Sequence, residues 1–141
     1  EPKVGSDDEA LEMIRVVTAM RRTAGRDFLV FGRMLAPSAV RKIRTMDWQF
    51  AGQSHHIPAV FHSAWQAPDG RFAVTLANWT NQRQRVTLQD ARFGKDVLEH
   101  TFAKCTVTKR VNGRRESRGV TLPPLSMVLV EDRKKDEARS F

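Results

Sequence analysis

The stretch from Pro58 to Gln89, PAVFHSAWQAPDGRFAVTLANWTNQRQRVTLQ, limits what this chain can fold into more than any other part of it. It holds three runs separated by two turn signals. The first run is Pro58 to Trp65. Pro68-Asp69-Gly70 follows, and Asp and Gly accept the positive φ that tight hairpins need. The second run, Arg71 to Trp79, alternates, with Phe72, Val74 and Leu76 on one face and Arg71, Ala73 and Thr75 on the other. Thr80-Asn81-Gln82 is the next turn. In the third run, Arg83 to Gln89, Val86 and Leu88 lie opposite Arg83, Arg85 and Thr87. A period of two through consecutive runs predicts an antiparallel meander with one buried face.

Helical signals precede it. Ser6 and Glu9 match a capping box, and Asp7, Asp8 and Glu9 suit the positive end of a helix dipole. The helix is expected to run to Arg22 or Thr23, with Ala10, Met13, Ile14, Val17 and Met20 as its apolar stripe. Gly25 reads as a C-cap or kink. Asp27 to Leu35 reads as a second helix, with a short strand at Leu29-Val30-Phe31 as the alternative, and Ala36-Pro37 ends it.

After Ser38 the strand pattern takes over. Val40 to Trp48 is a weak strand, and Gly52 to His56 is a loop. Beyond the central stretch, Asp90 to Asp96 is a loop, and Val97 to Phe102 and Thr106 to Val111 are strands. Asn112-Gly113 is a hairpin signal, answered by Val120 to Leu122. Pro123-Pro124 breaks the chain before a last buried strand, Leu125 to Val130. Residues from Glu131 on form a charged tail, a frayed helix or disordered. Helices followed by strands, without alternation, argue against a doubly wound α/β fold. The expected fold is mainly β: an antiparallel β-sandwich of about eight strands preceded by one or two N-terminal helices. The expected divisions are a helical segment over residues 1–36, a sandwich over 38–131 and a charged tail over 132–141.

The chain of 141 residues carries a net charge of +8, unevenly spread. Residues 1–36 are neutral, with six basic and six acidic groups, whereas residues 83–118 hold ten basic against four acidic groups. Arg83, Arg85, Arg110, Arg114 and Arg115 are therefore the candidates for binding a polyanion such as nucleic acid. A solvated sheet face explains the same charge and is the preferred reading. No apolar run approaches the ~18 residues of a membrane helix. The single cysteine, Cys105, has apolar neighbours and reads as a buried, inert thiol. The chain starts at Glu1 rather than Met, and it reads as a piece of a longer or processed protein.

Reactive constellations are not marked. His55 and His56 are adjacent and would point to opposite faces of a strand, and neither His62 nor His100 stands at a ligand spacing from them. The carboxylates Asp47, Asp69, Asp90, Asp96, Glu99 and Glu116 form no pair singled out by its surroundings. Nucleophile elbow, phosphate loop and dinucleotide fingerprint are all missing. No catalytic residue, no metal ligand and no cofactor is therefore expected. Trp48, Trp65 and Trp79 are candidates for stacking on sugar rings of an oligosaccharide, against the simpler reading that they close the ends of the core.

Two stretches together carry a resemblance. AVFHSAWQAPDGRFAVTLANWTNQRQRVTL and the closing TLPPLSMVLVED resemble the C-terminal β-sandwich domains of TIM-barrel glycoside hydrolases. The upstream EALEMIRVVTAMRRTAGRDFLVFGRMLAP is similar to the last barrel helix and its exit segment in that group. The resemblance implies that residues 1–36 are the end of a barrel and 38–131 an accessory sandwich. It implies a catalytic barrel domain as partner, with the apolar stripe of the first helix buried at the junction. Catalytic carboxylates of the group lie at the C-terminal ends of barrel strands, which this chain does not contain, so none carries over.

Overall fold

The computed structural model describes residues 7–94, 96–104, 106–113 and 117–133. Two helices come first, α1 (Asp7–Arg22) and α2 (Arg26–Leu29). The strands are β1 (Arg33–Leu35), β2 (Ala39–Arg41), β3 (Thr45–Phe50), β4 (Gln53–Pro58), β5 (Val60–Gln66), β6 (Phe72–Asn78), β7 (Gln84–Gln89), β8 (Asp96–Ala103), β9 (Thr106–Gly113), β10 (Ser117–Leu122) and β11 (Ser126–Asp132). A six-stranded sheet runs β1-β5-β6-β11-β8-β9, a three-stranded sheet runs β10-β7-β2, and β3-β4 form a two-stranded ribbon. Every pairing is antiparallel. The mainly β, antiparallel class expected from the sequence is the one observed, with more and shorter strands than the eight foreseen. Ser6, Cys105, the pair Arg114 and Arg115, and the tail from residue 134 on lie outside the described residues.

The expected three-strand meander is only half right. β5 and β6 form the hairpin, turning through Gly70 at φ 92. β7 then leaves for the other sheet, and the second neighbour of β6 is β11. Burial explains the exchange. Six consecutive residues of β11, Ser126 to Glu131, are buried, which only a central strand allows. Arg85 on β7 is exposed while Val86 and Leu88 are buried, so β7 suits a sheet with one wet face. Asn112-Gly113 likewise makes no two-residue hairpin to β10. β9 continues through Gly113, which pairs with Asp96 of β8, while β10 pairs with β7.

Two cores result. One lies between the sheets, where Val60, Val74, Leu76, Val86, Leu88, Val120, Leu122 and Val128 meet. The other lies between the six-stranded sheet and the helices, where Val16, Met20 and Phe28 pack on Ala73, Phe102, Met127 and Leu129. The face of β6 expected to be polar and open is therefore covered: Ala73 is 0% and Thr75 5% exposed. The buried stripe of α1 is turned from the expected one. Val16 and Met20 are buried with Met13 and Val17 beside them, whereas Ile14 is 61% exposed. The helix has apolar residues on more than one side, and the sheet takes the Val16 side.

Three local expectations also change. Asp27 to Leu35 is one short turn of helix followed by a strand, because β1 pairs with the edge of β5. At Gly32 the backbone passes so close to β5 that a Cβ would stand 2.4 Å from the carbonyl of Gln66. The weak strand over Val40 to Trp48 is broken at Lys42 (φ 63) into β2 and β3. The loop assigned to Gly52–His56 is instead mostly β4, turned from β3 at Ala51 and Gly52, both with positive φ.

Candidate functional site

Three features of the six-stranded sheet bear on function. The first is a buried ionic junction between sheet and helices. Arg71 enters β6 from the Asp69-Gly70 turn with its side chain only 11% exposed. Its Nη2 donates to Asp27 of α2 at 2.6 Å, its Nε to Asp69 at 2.8 Å, and its Nη1 stands 3.7 Å from Glu131. The guanidinium also lies over the Phe28 ring, 5.1 Å from its centroid. Burial opposes the charge on Arg71, but the hydrogen bonds to Asp69 and Asp27 and the nearby carboxylates outweigh it and raise its pKa. Glu131 has His100 Nε2 at 3.1 Å on its other oxygen. Sequence reasoning missed this junction. Its one signal is the carboxylate of Glu131 directly after the apolar run Met127 to Val130 of the central strand.

The second feature is the polar lock at one end of the β5–β6 hairpin. Asn78, 0% exposed, donates through Nδ2 to the carbonyls of Gln82 and Pro123 at 2.8 Å, with Leu122 O at 3.2 Å. Its Oδ1 accepts from Thr80 N–H at 3.0 Å and lies 2.7 Å from Thr80 Oγ1. Leu125 N–H donates to Thr80 O at 2.9 Å, and Ser126 Oγ donates to Pro123 O at 2.7 Å. The two stretches quoted for the resemblance are thus bolted to each other here. At the other end, Asp132 accepts from Phe72 N–H and Gly94 N–H at 2.8 and 2.6 Å. Beside it Asp90 takes Ser38 Oγ at 2.5 Å and Arg92 Nη2 at 2.7 Å. Burial would raise the Asp90 pKa, yet the hydrogen bonds from Arg92 and Ser38 prevail and lower it.

The third feature is an open apolar flank. Cross-strand register places Phe61, opposite Ala77, and Met34, opposite Trp65, on the sheet face that carries the helices. Both side chains stay exposed there: Phe61 is 52% and Met34 63% exposed. Val30 and Phe31, which link α2 to β1, are exposed as well.

The candidate tryptophans do not come together. Trp65 sits at the Gln66–Phe72 end of the hairpin, packs against the helical core and donates Nε1–H to Ser63 Oγ at 2.7 Å. Trp79 follows β6 at the opposite end and donates Nε1–H to Pro58 O at 2.7 Å. Trp48 is half-buried on the ribbon, its ring 5.7 Å from that of His55. Among the arginines, Arg83 and Arg85 are exposed on or beside β7, and Arg85 Nη1 donates to Thr121 Oγ1 at 2.9 Å. Arg110 lies on β9, in the other sheet. His55 and His56 do face oppositely, and His56 Nδ1 meets Asp47 at 2.5 Å. Among the described residues, no group of three or more His, Cys, Asp or Glu is placed to hold a metal ion.

The architecture is similar in part to solved glycoside hydrolases. A GH30 endoxylanase from Clostridium papyrosolvens C71 superposes with TM-score 0.45 and 11% identity over 54% of this chain and 20% of its own. A GH51 arabinofuranosidase from Xanthomonas axonopodis pv. citri gives TM-score 0.45 and 20% identity over 64% of this chain and 22% of its own. The thermostable GH51 α-L-arabinofuranosidase from Thermotoga petrophila RKU-1 gives TM-score 0.45 and 13% identity, covering 70% of this chain and 24% of its own. The chain thus spans only about a fifth to a quarter of the length of these enzymes. No protein-family profile matches the chain, and no curated protein matches it.

Proposed function

We propose that this chain is a non-catalytic accessory β-sandwich of a glycoside-hydrolase-like protein, which packs against and supports a catalytic barrel. The observation that carries the reading is the open apolar flank: Phe61 and Met34 stand exposed on the sheet face whose centre the helices already cover. A second domain seated there would complete that layer. The division follows the sequence resemblance, with residues 1–36 leading out of the barrel and 38–131 forming the accessory unit. Supporting it, the residues quoted for the resemblance serve as architecture. Asn78, Thr80 and the Pro123 to Ser126 turn spend their polar groups on one another. The junction at Arg71 is spent in the same way, on holding α2 to the sheet.

The apolar stripe foreseen at the barrel junction is revised accordingly. Val16 and Met20 are used on the chain's own sheet, so the barrel contact passes to Phe61, Met34 and their neighbours. The test is turnover of aryl glycosides by the purified chain. None is expected, and turnover that stays with the chain through purification would overturn the reading.

A further inference from the structure

The outward face of α1 differs from the face laid on the sheet. Asp7, Leu11, Ile14, Thr18 and Arg21 recur at alternating spacings of four and three, the seam of two paired helices. Leu11 is 50% and Ile14 61% exposed. The ends carry opposite charge, with Asp7 and Asp8 in the first turn and Arg21 and Arg22 in the last. None of these four is in an ion pair among the described residues. Beside the C-terminal half opens a groove of about 560 Å³ lined by Val17, Thr18, Arg21, Arg22, Arg26 and Val30. It joins two apolar side chains to three guanidinium groups.

We propose that α1 is a self-recognition surface, on which a second copy of this chain lies antiparallel about a two-fold axis beside Ile14. Asp7 and Arg21 stand symmetrically about Ile14, each about 10 Å along the helix axis. Antiparallel pairing therefore brings Asp7 and Asp8 of one copy to Arg21 and Arg22 of the other, and does so twice. It also sets Leu11 of each copy opposite Val17 and Thr18 of its partner, at the groove, with Arg26 near the arriving carboxylates. A two-fold interface needs a surface complementary to itself. A stripe acidic at one end, apolar in the middle and basic at the other has that property only when antiparallel. A purely acidic partner would match the arginines and repel Asp7 and Asp8. The contact uses the outward face of α1, with Val30 at the edge of the groove, and leaves Phe61 and Met34 free. One helix per copy makes a small interface, and the association is concentration-dependent.

Sedimentation of the chain at low salt, from micromolar to millimolar concentration, tests the inference. A dimer is expected, weakened by added salt. The variants Asp7→Arg/Asp8→Arg and Arg21→Glu/Arg22→Glu should each lose more than about tenfold in association, and their equimolar mixture should recover it, because both ends are complementary again. These reversals also oppose the helix dipole. Ile14→Asp is therefore the second probe: it sets like charges at the axis on an exposed position, and should abolish the dimer with the circular dichroism unchanged. A wild-type chain monomeric at millimolar concentration overturns the proposal. So does a mixture of folded charge variants that stays monomeric, or a dimer indifferent to Ile14→Asp.

Discussion

Replacing Asn78 by Ala should unlock the end of the sandwich where the two sheets are joined. The side chain is wholly buried, and its loss strands the Thr80 N–H, held at 3.0 Å, and takes one of two donors from the carbonyls of Gln82 and Pro123, which keep Thr80 Oγ1 and Ser126 Oγ. A buried group left without a partner costs about 1–3 kcal/mol. The two carbonyls each lose one hydrogen bond worth about 1 kcal/mol, so the sum is about 3–5 kcal/mol. That is a large fraction of the ~5–15 kcal/mol by which domains are stable. With a urea slope of ~2 kcal/mol/M, the midpoint should fall by about 1.5–2.5 M. Asn81→Ala, at an exposed position in the same turn, is the control and should change stability by less than ~0.5 kcal/mol. A midpoint shift for Asn78→Ala below about 0.5 M, at unchanged slope, would refute the reasoning.

Other consequences follow from the buried charges and the tryptophans. Arg71→Met keeps the packing on Phe28 but leaves Glu131, 8% exposed, without its cation. It should cost about 3–5 kcal/mol in urea unfolding, and Arg71→Met with Glu131→Gln should cost less than the single change. Because the folded state lowers the Asp90 pKa, its contribution is present above the ordinary value of 3.8 and is lost as pH falls through the lower folded value. Stability measured against pH should therefore show a flatter acid limb in Asp90→Asn. Burial lowers the His62 pKa from 6.5, so stability should decline as pH drops below that value, and His62→Gln should remove this part of the decline. Millimolar oligosaccharide is expected to leave tryptophan fluorescence unchanged, since Trp65 and Trp79 stand at opposite ends of one hairpin. A saturable shift would favour a sugar-binding module instead.

The strands were legible where alternation was strong, and least so where pairing decided the outcome. The hairpin of β5 and β6 is visible in Asp69-Gly70 and in the period-two pattern on either side. The departure of β7 is not, because Val86 and Leu88 fit either sheet equally well. Only the continuous burial of β11 fixes which strand sits next to β6. The stripe of α1 was misplaced for a related reason. Leu11, Ile14, Val16 and Val17 cover more than half the helix circumference, and only the sheet chooses among them. The second strand of the ribbon was hidden by His55 and His56, whose place is set by the turn at Ala51-Gly52 rather than by hydrophobicity. The ionic junction at Arg71 joins residues from three distant parts of the chain, Asp27, the Asp69–Arg71 turn and Glu131, and no local pattern marks it.

The central claim is that the flank formed by Phe61 and Met34 is covered by a catalytic domain of the same polypeptide. Hydroxyl-radical footprinting of these two side chains, in the isolated chain and in the full encoded polypeptide, tests it most directly. Both should oxidise readily in the isolated chain, where they are 52% and 63% exposed, and be protected several-fold in the full polypeptide. Equal oxidation in the two, or an encoded polypeptide with no barrel preceding Glu1, would contradict it.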